Sequence, residues 1–144
     1  MPRLRGAARG VVAAMAMTGV RRLTTGLGLV HESPPEEIAR KGVPALLQVV
    51  PVESRDEAIE FAHWAYGAIG GAAYGSLPAV LRRQVWAGAA YGLLVWVLFE
   101  AALAPLLGLH RAGERKMVER LAIAADHALY GAIVANRPRA GGDE

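Results

Sequence analysis

Apolar residues in this chain gather into four long runs, and most of its charges fall between or at the edges of those runs. Inside the runs glycine and alanine recur every three or four positions, which is the period of one helix face. The pattern predicts helices at about 7–29, 57–77, 86–109 and 115–136. About 20 apolar residues, rising ~1.5 Å each, cross the hydrocarbon core of a bilayer. The expected fold is therefore all-α: a four-helix transmembrane bundle forming one domain over residues 1–138.

The polar stretch between the first two runs carries its own signals. Ser33-Pro34-Pro35-Glu36 has the form of a helix start, with Ser33 as cap, Pro34 in the first turn and Glu36 completing the capping box. Leu46, Leu47, Val49 and Val50 then give an apolar side to a short amphipathic helix between helices 1 and 2. Such a helix lies along the membrane surface or folds over the bundle mouth. Pro78 stops the second helix, Pro105 kinks the third, and Pro138 follows the fourth. Residues 139–144 read as a disordered tail.

Small residues form rows at four-residue spacing. Gly6, Gly10, Ala14 and Thr18 make one row, and His63, Gly67, Gly71 and Gly75 a second. Gly88, Gly92, Trp96, Glu100 and Ala104 make a third, and His127, Gly131 and Ala135 a fourth. Apolar helices associate in a bilayer through close backbone approach, so these rows are the expected contact faces. Two of the rows belong to a repeat. His63-Trp64-Ala65-Tyr66-Gly67-Ala68-Ile69 returns 64 residues later as His127-Ala128-Leu129-Tyr130-Gly131-Ala132-Ile133.

Depth along the helices places four polar groups in one layer: His63, His127, Glu100 and Arg22, the last beside Arg21. Ionisable groups inside a membrane face the protein interior, because lipid exposure costs a few kcal/mol. Three readings of this layer are open. It is a structural network in which Glu100 pairs with Arg22 or Arg21 and the histidines find hydrogen bonds. It is a path for protons or a small solute. Or the two histidines ligate a haem between the helices.

Composition narrows the function classes. The absence of cysteine excludes disulfides and thiolate chemistry. Glu60 and His63 supply one E-x-x-H, but Ala124 stands where a di-metal site would need its second Glu. No nucleophile triad, phosphate loop or zinc helix appears, so neither an enzyme nor a metal or other resident cofactor is expected. The net charge is +3, and the arginines flank apolar runs, where they meet lipid phosphates rather than nucleic acid. The short Arg82-Arg83 turn lacks an acid, which predicts termini in the cytoplasm. A cleaved signal peptide at Ala14-Met15-Ala16 would be cut inside the first apolar run, so the first helix is expected to stay.

Ala62-His63 with Tyr66-Gly67 and Gly71, Tyr74-Gly75, Tyr91-Gly92 with Val95-Trp96, Pro105, Gly108-Leu109, and His127 with Tyr130-Gly131 form a wider pattern. With the Gly-rich first helix and Pro34-Pro35-Glu36, it resembles the YagU-like group of uncharacterised bacterial inner-membrane proteins. The resemblance implies a small multi-helix protein of the bacterial inner membrane and transfers no activity. The chain departs from the group in carrying Asp126 where Ala usually precedes the second His. The expected role is a non-enzymatic accessory, scaffold or self-associating component, with lipid and a second copy or another membrane protein as partners. A small transporter or channel subunit is the alternative, and a haem-binding bundle the weaker one.

Overall fold

Prolines and glycines set where the helices begin and end. The computed structural model describes residues 2–30, 34–109 and 116–136, and every regular element among them is helical. Helix α1 spans Pro2–Gly26, with Pro2 in the first position, where its missing N–H costs nothing. It ends three residues before the predicted limit, because Gly28 takes a left-handed φ of 70°. The Gly28 and Leu29 amides then turn back to the Thr25 and Thr24 carbonyls and close a Schellman turn.

The connection to the next long helix is a chain of short turns rather than one amphipathic helix. It comprises α2 (Pro34–Glu37), a π-helical turn over Ile38–Gly42, α3 (Pro44–Gln48) and a 3₁₀ turn over Val52–Ser54. Gly42 and Pro44 break it where helix propensity fails. The expected Ser33 cap lies outside the described residues, as does the tail at 139–144.

Helix α4 covers Arg55–Ser76, with Asp56 and Glu57 in its first turn, where acids complement the helix dipole. Leu77 turns extended ahead of Pro78 and stops it. A short α5 (Ala79–Arg82) leads into α6, Ala87–Leu106. Pro105 cannot donate the amide that an α-helix requires there. The helix widens to π-helical over Phe99–Leu103 just upstream and then continues through the proline. Gly108, at φ 67°, ends it with a second Schellman turn. Helix α7 runs over Met117–Ala135. Among the described residues one helix, Ala87–Leu106, is long and apolar enough to cross a membrane by composition alone. The other three long helices carry charges near their ends or within them.

Packing follows the small-residue rows. Helix α1 lies antiparallel on α4, α6 lies antiparallel on α7, and α1 also packs on α7. Gly6 meets Gly71, Gly10 meets Gly67, and Gly75 sits against Pro2. On the second pair Gly88 meets Gly131, and Gly92 meets the backbone of His127. A Cβ on Gly10 would overlap the Gly67 carbonyl, and one on Gly88 would stand 2.6 Å from the Gly131 carbonyl oxygen. The interior is correspondingly small: Ala13, Ala14, Met17, Tyr74, Tyr130 and Val134 are buried. Large apolar side chains point the other way, with Val12, Phe61, Ile69, Leu94, Leu106 and Leu121 exposed.

These contacts make a specific prediction. Gly10→Val should cost about 1–3 kcal/mol through overpacking, whereas Gly19→Ala, with nothing near its Cβ, should be neutral or stabilise by up to about 1 kcal/mol. Thermal unfolding followed by helical circular dichroism measures both.

Candidate functional site

Below the glycine contacts of α1 and α4 the same register brings polar groups face to face. Thr18 and Arg21 are one turn apart on α1, and Glu60, His63 and Trp64 share one face of α4. Arg21 forms an ion pair with one carboxylate oxygen of Glu60. The Thr18 hydroxyl donates to the other at 2.8 Å and accepts from the Trp64 indole N–H at 3.3 Å. The paired side chains are 11% and 16% exposed, so water screens them little. An ion pair this sheltered is costly to break from one side only.

Two tyrosines bring the second helix pair onto the first. Tyr130 of α7 donates to the Gly67 carbonyl, and Tyr91 of α6 to the Gly70 carbonyl, each at 2.6 Å. Tyr91 also meets the Tyr74 ring edge-on. These contacts set His127 opposite His63. Two small cavities, about 80 and 160 Å³, lie between the helices, and His63, Tyr66, Met17 and His127 line both. Arg21 and Asp126 join the lining of the smaller one.

The hydrogen bonding of this region is uneven. His127 Nδ1 lies 2.9 Å from the Ile123 carbonyl. A carbonyl only accepts, so Nδ1 carries a proton, and the neutral ring presents Nε2 as an acceptor. His63 Nε2 and Asp126 Oδ1 are buried without a hydrogen-bond partner. Buried polar atoms of that kind are uncommon, and each calls for a partner such as a water or an ion. Among the described residues no three His, Asp or Glu side chains converge as a metal site.

The expected layer of four is redrawn. His63 and His127 are brought together. Arg22 is exposed and lines a separate cleft of about 520 Å³ with Glu60 and Trp64, and it is Arg21 that takes the ion pair. Glu100 lies in the π-helical turn of α6, half-buried. It lines neither histidine cavity. The carboxylate that Arg21 meets is Glu60, which the sequence offered only as half of an E-x-x-H. One turn before His63 on the same face, it was the signal for this pair. Thr18 stood in the small-residue row, and its hydroxyl completes the network.

No protein-family model, curated protein or solved structure matches the chain.

Removing one partner of the ion pair should be expensive and removing both should not. Arg21→Ala or Glu60→Ala should each destabilise by about 3–5 kcal/mol, while Arg21→Met/Glu60→Leu together should recover most of that loss. Arg22→Ala should change stability by less than about 0.5 kcal/mol. Denaturant titration of the four variants reads these differences.

Proposed function

We propose that this chain is a multi-pass integral membrane protein, a four-helix transmembrane bundle of the bacterial inner membrane with cytoplasmic termini. Its role in this proposal is that of a non-enzymatic membrane component. The observation that carries the reading is the inverted burial. Glycine and alanine fill the contacts between helices, while Ile69 is 69% and Leu94 52% exposed. Exposed apolar surface on this scale marks a membrane or an interface rather than a water-facing exterior. The apolar window of Ala87–Leu106 is only 11% buried within the protein, unlike the core helix of a soluble domain. Helices α1, α4 and α7 are less apolar, and two of their intrahelical charges, Arg21 and Glu60, neutralise each other inside. Kinship with the YagU-like proteins belongs to the same proposal.

In this reading the Arg21–Glu60–Thr18–Trp64 network is structural, a polar clasp that continues the α1–α4 glycine contact. Lipid is the immediate partner, with self-association or a second membrane protein as the functional one. A second reading, a small transporter or channel subunit for protons or a small solute, is favoured by the two cavities and the unpartnered His63 Nε2 and Asp126 Oδ1. Haem is supported least. The spaces between the histidines fall well short of the roughly 300–1,000 Å³ of sites for larger ligands.

The expressed protein should stay with the membrane in alkaline carbonate and be released by detergent; release by carbonate alone would contradict the proposal. In proton-loaded vesicles the structural reading expects no flux above empty vesicles. The transport reading expects flux that Asp126→Asn abolishes without changing the melting temperature.

A further inference from the structure

Four side chains are common to the linings of both cavities between the helix pairs: Met17 of α1, His63 and Tyr66 of α4, and His127 of α7. Residues shared by two spaces mark the wall between them, so these four are neighbours. The packing agrees. Met17 is 5% exposed and belongs to one buried cluster with Tyr130, about a turn beyond His127 on α7. On its other side α1 meets α4 through Ala14 against Gly67, one turn beyond His63. Met17 therefore stands between the two helices that carry the histidines.

The donor atoms of this wall are available to a ligand-seeking ion. His127 gives its Nδ1 proton to the Ile123 carbonyl, which leaves the Nε2 lone pair to ligate. Metal-binding histidines are held in this way, with the second ring nitrogen tied to a carbonyl or carboxylate. His63 Nε2 is buried with no hydrogen-bond partner. Neither cavity exposes that nitrogen, so it faces the packed side chains of the wall, a place closed to water but not to a smaller bare ion. Met17 adds a thioether, a weak hydrogen-bond acceptor and a good ligand for soft metals.

The donor set selects the ion. Two imidazoles and a thioether suit Cu(I), a soft ion that needs only two or three ligands. Zn(II) takes four, from imidazole, thiolate and carboxylate. The chain has no cysteine, and among the described residues no third His, Asp or Glu joins the histidine pair. Tyr66 offers a phenol, a hard donor that Cu(I) does not recruit. Charge agrees with one positive unit. Arg21, on the smaller cavity, is neutralised by Glu60, and among the described residues Asp126 is the one carboxylate lining either space. A monovalent ion balances it, whereas a divalent one leaves surplus charge in an apolar interior.

We infer that Met17, His63 and His127, each from a different helix, bind one Cu(I) ion in the wall between the two cavities. The site does not depend on membrane residence, so failure of the membrane reading and failure of the copper site are separate results.

The test uses the untagged full chain in mild detergent, with Cu(I) kept reduced by ascorbate under nitrogen and delivered from a colorimetric Cu(I) chelator. The expected result is transfer of one Cu(I) per chain, with X-ray absorption showing a sulfur ligand beside two imidazole nitrogens. Met17→Leu, which nearly conserves volume, should lose the sulfur signal and bind at least about tenfold more weakly. His63→Gln and His127→Gln should each weaken binding at least about a hundredfold. Tyr66→Phe should bind within about threefold of the parent, and so should a double His31→Gln/His110→Gln variant that removes the chain's other histidines. Helical content and melting are recorded for every variant, and the absorption spectrum of the parent decides the case if a histidine variant fails to fold. A parent that takes no copper from the chelator, or bound copper without sulfur, would overturn the proposal. So would unchanged binding in a folded Met17→Leu, His63→Gln or His127→Gln variant, or binding lost in the folded His31→Gln/His110→Gln variant.

Discussion

The structure depends on backbone meeting backbone at glycine. Where Gly10 faces Gly67 and Gly88 faces Gly131, the space a Cβ would take is occupied by a carbonyl of the neighbouring helix. Close approach of this kind maximises dispersion contacts between helix surfaces and needs no expelled water to drive it. It also fixes the register on both sides, because only the glycine positions can come so near. Once those faces are turned inward, many of the larger apolar side chains, Val12, Ile69, Leu94 and Leu121 among them, are left on the outside. The inverted burial and the small interior are two results of one constraint.

That register decides the chemistry further along. Continuing the α1–α4 contact by one or two turns puts Thr18 and Arg21 beside Glu60 and Trp64, and it puts His63 on the side facing α7. On α7, Tyr130 is spent on the Gly67 carbonyl, one turn from where His127 lines the same cavities as His63. The repeated motif therefore has a divided role. Its glycine makes the helix contact, the second tyrosine ties the two helix pairs together, and the histidines border the space left between them. Asp126, beside the second histidine, makes that space unequal, with acceptors concentrated on α7.

Much of this was legible from spacing alone. Rows of small residues every four positions named the contact faces, and proline and glycine bounded the four long helices to within a few residues. The prediction failed where the outcome depended on rotation rather than depth. Arg21 and Arg22 lie at almost one depth but about 100° apart around the axis, and only the rotation of α1 against α4 separates them. Glu100 shares the row of Gly88 and Gly92, yet the π-helical turn at Phe99–Leu103 changes the register just where that row reaches it. Glu60 was read only as the acid of a single E-x-x-H with His63, and its place one turn before that histidine was not carried into the polar layer. The stretch from Ser33 to about Val50 was read as one amphipathic helix weakened at Gly42 and Pro44, and those two residues instead divide its described part into short turns.

The central claim is that the large apolar exterior faces lipid while the glycine faces are turned inward. The chain has no cysteine, so single cysteines at Ile69 and Leu94 can carry spin labels without background. In liposomes both labels should relax readily with oxygen, which concentrates in the hydrocarbon, and be shielded from a water-soluble paramagnetic nickel complex. Labels that relax more readily with the nickel complex than with oxygen would place that exterior in water and contradict the account.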